Sequence, residues 1–295
     1  MKRAATAAVL LATAATVVAG CGSSSSGSGG TGAAAQPSTS TSASAAACTP
    51  STLKTKTPGT LTIGADRPVY PPWFVGNNPS NGKGFEGAVD AAIAKQLGYT
   101  PSQVKIDRVS FNQAILQASG FDFDLDEYSI TKAREQHVDF SAPYYNVSQA
   151  VVTVKGSKAA GVTTLAGLKS LKIGVQVGTT AIDAVNDIVK PSQSPAVFPS
   201  NAAVLQALKN GQIDALITDL PTAFYMTSAQ LTGGIIVGQL PPTTGKQEQF
   251  GALLAKDSPL TSCVSKAINT LRSNGELAKI QDKWLAKEGN APVLK

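Results

Sequence analysis

Residues 121–145 read FDFDLDEYSITKAREQHVDFSAPYY, and their pattern decides the fold. Phe121, Phe123 and Leu125 alternate with Asp122, Asp124 and Asp126. Successive side chains of a strand point to opposite faces, so this alternation predicts a half-buried β-strand. Ser129-Ile130-Thr131 then predicts a helix start, with Arg134 one turn further on. A strand that hands hydroxyls to a helix N-terminus offers unpaired N–H groups to an anion. An arginine at that point adds a planar fork that pairs bidentately with a carboxylate. The stretch therefore predicts a carboxylate clamp built on Ser129 and Arg134.

The Asp122-x-Asp124-x-Asp126 spacing also invites a calcium-loop reading. Such a loop needs glycine at its sixth position and a bidentate glutamate at its twelfth. Those positions hold Glu127 and Ala133, so the reading fails and the three aspartates are expected on the polar face of the strand. His137 is the only histidine. With no second one, a histidine-based metal site is not available, and His137 is read as a surface residue. No cofactor is expected.

Strand and helix signals continue outward in both directions. Leu61 to Ala65 reads as a strand ending at Asp66, followed by a Pro- and aromatic-rich loop through Tyr70, Trp73 and Phe74. Ligands of open α/β sheets sit at that rim. Tyr70 and Trp73 are site candidates, with core packing the alternative. Ala88 to Leu97 reads as a helix stopped by Gly98, Val104 to Val109 as a strand, and Phe111 as the start of a short helix. Phe111 is a candidate apolar platform under a ligand. Val151 to Val154 is a strand leaving this region. Leu171 to Val175 is another, delivering Gln176-Val177-Gly178-Thr179-Thr180 to a helix that Thr180 begins and that carries Ile182, Val185 and Ile188. This is a second anion-binding arrangement of glycine, hydroxyls and a helix N-terminus. A nucleotide-loop reading lacks the Gly-Lys-Ser/Thr core. Asn201 to Lys209 reads as a helix capped by Asn201. Ile213 to Asp219 reads as a buried strand ending in an acid, with Pro221 just inside the next helix. Asp219 meets a cation or caps that helix. Gln249 to Ala255 is a return strand, and 259–274 and 277–285 are closing helices.

The alternation of strands and helices argues two α/β lobes, with the chain crossing between them near 146 and 246. A double crossing makes a hinge, and binding sites favour such clefts. The chain of 295 residues carries a formal charge of +6 but no Lys/Arg run beyond isolated pairs, so nucleic-acid binding is not expected.

Ser129-Ile130-Thr131-x-x-Arg134, then Val138-Asp139-Phe140-Ser141-x-Pro143-Tyr144, resembles the signature of bacterial extracellular solute-binding proteins of family 3, the amino-acid receptors of ABC importers. The resemblance implies a two-lobed, type II periplasmic-binding-protein-like fold with a two-strand hinge and a central ligand cleft. Lobe 1 is expected over 59–146 plus 247–295, and lobe 2 over 147–246. Arg134 and Ser129 are then expected on the ligand carboxylate, joined from the opposite lobe by the Gly-Thr element at Gln176 to Thr180. Asp219 is expected on the α-ammonium. Glu127 stands where the family often has a small or neutral residue giving its carbonyl to the ammonium, and adds negative charge. Asp66 and Tyr70 match an acid followed by Tyr-x-Pro-aromatic, with one extra residue between them. Asp66 and Glu127 together favour a polar or cationic amino acid. The expected partners are that ligand and the permease subunits of an importer, with the protein itself a monomer. An enzyme on the same fold, of the family's dehydratase-like kind, and a ligand-sensing lipoprotein are the alternatives.

The first 20 residues carry Lys2 and Arg3 ahead of an apolar run from Ala4 to Ala19, as a secretory signal does. Val18-Ala19-Gly20-Cys21 resembles a bacterial lipobox, which implies a lipidated Cys21 anchored to the extracytoplasmic face of the cell membrane. Residues 21–58 are rich in Ser, Gly, Ala and Thr and read as a flexible stalk. If Cys21 carries lipid, Cys48 and Cys263 remain as an even pair in an oxidising compartment, and a disulfide between them is expected.

Overall fold

The expected alternation is realised as two five-stranded sheets. The computed structural model describes residues 48–243, 245–285 and 291–295. The expected signal segment 1–20, the lipid-bearing Cys21 and the stalk as far as residue 47 lie outside the described residues.

The first sheet contains β1 (Leu61–Ala65), β2 (Val104–Arg108), β3 (Phe123–Asp124), β4 (Val138–Val147) and β10 (Glu248–Ala255), in the order β2-β1-β3-β10-β4. β1 runs parallel to β2 and β3, and β10 is antiparallel to both its neighbours. α1 (Phe85–Gln96), α7 (Thr261–Ser273) and α8 (Glu276–Leu285) cover one face, where Phe85, Val89, Ile93, Val264, Ile268 and Leu271 bury against β1 and β10. α2 (Phe111–Leu116) belongs to the other face, with Phe121, Tyr128 and Leu253. Ser110 starts α2 by accepting the Gln113 N–H, a side-chain N-cap.

The second sheet holds β5 (Gln149–Val154), β6 (Ile173–Gln176), β7 (Ala196–Phe198), β8 (Ala215–Asp219) and β9 (Gly234–Gln239), in the order β7-β6-β8-β5-β9. α3 (Leu165–Leu168) and α4 (Ala181–Ala184) lie with the apolar residues of one face, and α5 (Asn201–Lys209) and α6 (Leu220–Tyr225) with those of the other. The chain passes between the sheets at Val147–Gln149, again between Gln239 and Glu248, and, beyond the two crossings expected, a third time between Leu285 and Ala291.

Several local expectations are corrected. Only Phe123–Asp124 of the 121–125 stretch pairs as a strand. Its aspartates are not a solvated face: Asp122, Asp124 and Asp126 are all buried. Asp122 accepts the backbone N–H groups of Lys56 and Thr62, and Asp124 accepts the Tyr128 hydroxyl. A side chain at residue 64 would collide with the Asp124 carboxyl, which fits only because residue 64 is glycine. No helix starts at Ser129. The Ile130 N–H is taken by Gln249 of β10 and Ser129 bridges Phe250, so the chain continues as an irregular edge and Arg134 opens a single 3-10 turn. The helix begun at Thr180 has four regular residues and then widens into a π-turn over Val185–Val189. Ser200, not Asn201, caps α5.

Both ends of the folded region also differ from expectation. Residues 48–58 are expected in the stalk, yet Cys48 packs against the first lobe's core and is joined to Cys263 in α7. The last residues, 291–295, are expected on the first lobe. They lie on the second instead: Leu294 is buried in its core, its N–H bonds the carbonyl of Gln239 in β9, and the Leu165 N–H bonds the Lys295 carbonyl.

Candidate functional site

The ends of β1, β3, β6 and β8 face one another across the gap between the sheets, and the loops leaving them enclose a cavity of about 300 Å³. All nine residues put forward for ligand contact line it: Asp66, Tyr70, Phe111, Glu127, Ser129, Arg134, Gln176, Thr180 and Asp219. The volume is at the small end for ligand pockets.

Of the two arginines lining the cavity, Arg67 is exposed and Arg134 is the half-buried one. Its guanidinium donates to the Ser129 carbonyl at 2.7 Å and to the Gly178 carbonyl, across the cleft, at 2.9 Å. It lies 5.5 Å from the Phe111 ring centroid, and that ring stacks on Tyr128. Phe111 is thus a platform under the guanidinium, and Tyr128 holds the platform flat. Burial lowers the Arg134 pKa, while the fields of Glu248, Tyr128 and Asp219 oppose the shift. A guanidinium remains charged regardless. Two of its five N–H groups are committed to carbonyls, and the rest are left for an anion. The Ser129 and Thr180 hydroxyls stand 3.4 Å apart beside it, one from each lobe.

Gly178 is needed for this approach. It has φ +77°, and a Cβ there would meet the Asn112 side chain at 2.3 Å. The two lobes are therefore close here and bridged by several polar contacts. The Trp73 indole N–H donates to Thr222 at 2.8 Å, and the Thr222 hydroxyl donates to Glu127 at 2.7 Å. The Thr180 hydroxyl donates to Glu248. These contacts define a closed arrangement of the lobes.

Opposite Arg134 the lining is acidic. Asp219 ends β8 and makes no side-chain cap to α6. Its carboxylate accepts the Gln149 amide at 2.6 Å, and the same amide reaches Glu248 at 3.1 Å. Burial raises the pKa of Asp219 well above the carboxylate range, and the Glu248 charge adds to this. Glu127 is raised in the same way, by burial first and then by Asp219 and Glu86. Asp66 is raised by burial, against the N–H groups of Arg67 and Phe111. The lining side chains include four carboxylates (Asp66, Asp126, Glu127, Asp219) against two guanidinium groups, Arg67 and Arg134.

Sequence reasoning missed Gln149, Thr222 and Glu248, which tie the acids and the hydroxyls together. They are single polar residues within or beside apolar strands and helices, with no local pattern to mark them. It also placed Asp126 on a polar strand face, whereas this buried residue lines the cavity. His137 is exposed, at the end of the 3-10 turn. Among the described residues no group of His, Cys, Asp and Glu is arranged to hold a metal ion, and no helix is long and apolar enough to cross a membrane.

The model of the bacterial extracellular solute-binding proteins, family 3, matches residues 61–287. The arginine-binding extracellular protein ArtP of Bacillus subtilis (strain 168) is 29% identical over 212 residues, covering 70% of this chain and 78% of that protein. The L-cystine-binding protein TcyJ of Escherichia coli (strain K12) is 26% identical over 235 residues, covering 80% of this chain and 86% of that one. Among solved structures, an ancestral arginine-binding protein bound to glutamine superposes with a TM-score of 0.64 at 30% identity, over 77% of this chain and 98% of the other.

Proposed function

The chain belongs to the bacterial extracellular solute-binding proteins, family 3, and from that premise we propose that it captures a cationic or polar amino acid by closing its two lobes and hands it to a membrane importer of the ABC class. One observation carries the ligand class: the cavity sets a single anchored guanidinium, Arg134, against a wall of carboxylates. An α-carboxylate fits the open N–H groups of Arg134 with the hydroxyls of Ser129 and Thr180. An α-ammonium fits Asp219 and Glu127. Asp66 and Asp126 remain for a further positive charge or a hydrogen-bonding group on the side chain. An unpaired buried charge is costly, so a ligand without either end is rejected. Partners come from both lobes, and only the closed form presents them all. The ligand therefore shifts the population towards closure, the shape an importer can read.

The arginine-binding relatives support the cationic reading, and the cystine-binding one supports a polar alternative of similar length. A binding role without turnover is part of the same reading, supported by relatives that are binding proteins and by a cavity whose carboxyls are matched to the ligand's positive charges. Cys21 supplies the tether to the outer face of the membrane, and the protein works as a monomer.

Thermal-shift and calorimetric titration of the purified protein against the twenty amino acids tests this. Stabilisation by arginine or lysine, with ligand recovered unchanged, is expected. A response confined to leucine or phenylalanine would overturn the ligand class, and conversion of the ligand would overturn the binding role.

A further inference from the structure

Behind the cavity wall lies a set of carboxyls that the proposed binding mode does not use. Glu86, in the first turn of α1, is fully buried. One of its oxygens accepts both the backbone N–H of Glu127, at 2.8 Å, and the Tyr144 hydroxyl of β4. Its other oxygen has no partner, nor has either oxygen of Asp90 one turn along, nor one oxygen of Asp124 on β3. The charged and titratable groups facing Glu86 are Asp90 on its own helix, Asp124 and Asp126 on and after β3, Glu127, Tyr144, and Asp219 from the second lobe. All are acids or phenols. The ion pair among the described residues, Lys256 with Asp139, is elsewhere.

Glu127 itself is held in an uncommon conformation. Its φ of +57° is in the left-handed region, which a non-glycine residue adopts only against steric strain. The bond from its N–H to Glu86 fixes that conformation and turns the Glu127 carboxylate across the cleft to Thr222.

We propose that Glu86 is a positioning residue of the ligand site: it sets the Glu127 backbone and, as a proton-bearing carboxyl backed by Asp90 and Asp124, makes capture of a cationic ligand release protons. This rests on the cationic reading of the cavity. Close-packed buried carboxyls without a cation cannot all ionise, so the ligand-free set retains protons. Burial accordingly raises Glu86 to about 7 and Asp124 to about 8. The α-ammonium between Glu127 and Asp219, together with a side-chain cation at Asp66 and Asp126, stabilises the ionised forms and lowers these values. Binding then expels protons, and affinity rises with pH through the range in which the ligand-free set titrates, roughly 6 to 8. A glutamine at residue 86 keeps an oxygen to accept both hydrogen bonds but carries no dissociable proton.

The test is calorimetry of L-arginine binding at pH 6, 7 and 8, in buffers of different ionisation enthalpy, for the wild type, Glu86→Gln and Glu86→Ala. The charges of free arginine do not change in this range. Wild-type affinity is expected to rise several-fold from pH 6 to 8 with net proton release. Glu86→Gln should bind with a flatter pH profile and fewer protons released, and Glu86→Ala more weakly at every pH because Glu127 loses its anchor. Equal proton release by wild type and Glu86→Gln, or pH-independent affinity in the wild type, overturns the proposal while leaving the amino-acid reading intact. No binding of arginine or lysine by the wild type at any pH removes the cationic reading and the inference together.

Discussion

The two walls of the cleft are built by different means. The first lobe contributes charge: Asp66, Asp126, Glu127 and Arg134, backed by the buried carboxyls of Glu86, Asp90 and Asp124. Some of these are held from within the lobe, the Glu127 backbone by Glu86 and the Phe111 ring by Tyr128. The second lobe contributes mainly neutral groups: the hydroxyls of Thr179 and Thr180, the amides of Gln149 and Gln176, the Gly178 carbonyl, and one acid, Asp219. Its helix at the cleft, α4, is a single turn that widens into a π-turn. The contrast teaches a division of labour. The first wall carries most of the charge, and the second completes the site with mainly neutral polar groups.

The largest expected effect tests the first wall. Arg134→Ala removes one partner of a buried charge pair, and ligand affinity should fall by roughly 3–5 kcal/mol in calorimetry. If affinity is unchanged, the carboxylate end of the ligand is held by the second wall, and the division between them is reversed.

Next comes the acid store behind that wall. The folded protein keeps the Asp124 proton up to about pH 8, whereas an unfolded aspartate loses it near 3.8. A raised carboxyl contributes stability that is full at low pH and drains away as pH rises between those values. Asp124→Asn should therefore flatten this decline. Urea unfolding should find it more stable than wild type at pH 8, by on the order of 2–3 kcal/mol, and little changed at pH 4.

The walls also differed in how far they could be read in advance. The Ser-Ile-Thr-x-x-Arg motif marked Arg134 and Ser129 as neighbours, and the strand ends marked Asp66, Gln176 and Asp219. The structure brings all of them to one cavity. What local pattern misjudged was the environment. A period of two says which side chains share a face, but not whether that face meets water. Asp122 is buried because it serves two backbone N–H groups, and Asp124 because a tyrosine hydroxyl and a glycine make room for it. A helix was expected after Ser129 because its signal is local, whereas the N–H that would open that helix is taken by β10, more than a hundred residues further on. Nothing in the local sequence marks Glu86, just ahead of the helix expected from Ala88. Its link to Glu127 is a contact between residues 41 apart, invisible to any window along the chain.

The smallest effect concerns the seam where the walls meet. Thr222 belongs to the second lobe, yet both its polar partners belong to the first: it accepts the Trp73 indole N–H and donates to the Glu127 carboxylate. Neither bond exists unless the lobes are together, so their free energy counts only in the closed form. Valine has nearly the same shape as threonine and retains its packing, but provides neither bond. Thr222→Val leaves a buried indole N–H and a buried carboxyl without that partner, a loss of about 1–2 kcal/mol. Because the loss falls on closure alone, unfolding stability of the separate lobes should hardly move. Ligand affinity should fall about 5- to 30-fold at 25 °C, and small-angle scattering of the ligand-free protein should report a larger radius of gyration than the wild type. If instead the variant binds as tightly and scatters identically, the Trp73–Thr222–Glu127 chain is incidental packing, and closure is held by Arg134 on Gly178 and Thr180 on Glu248.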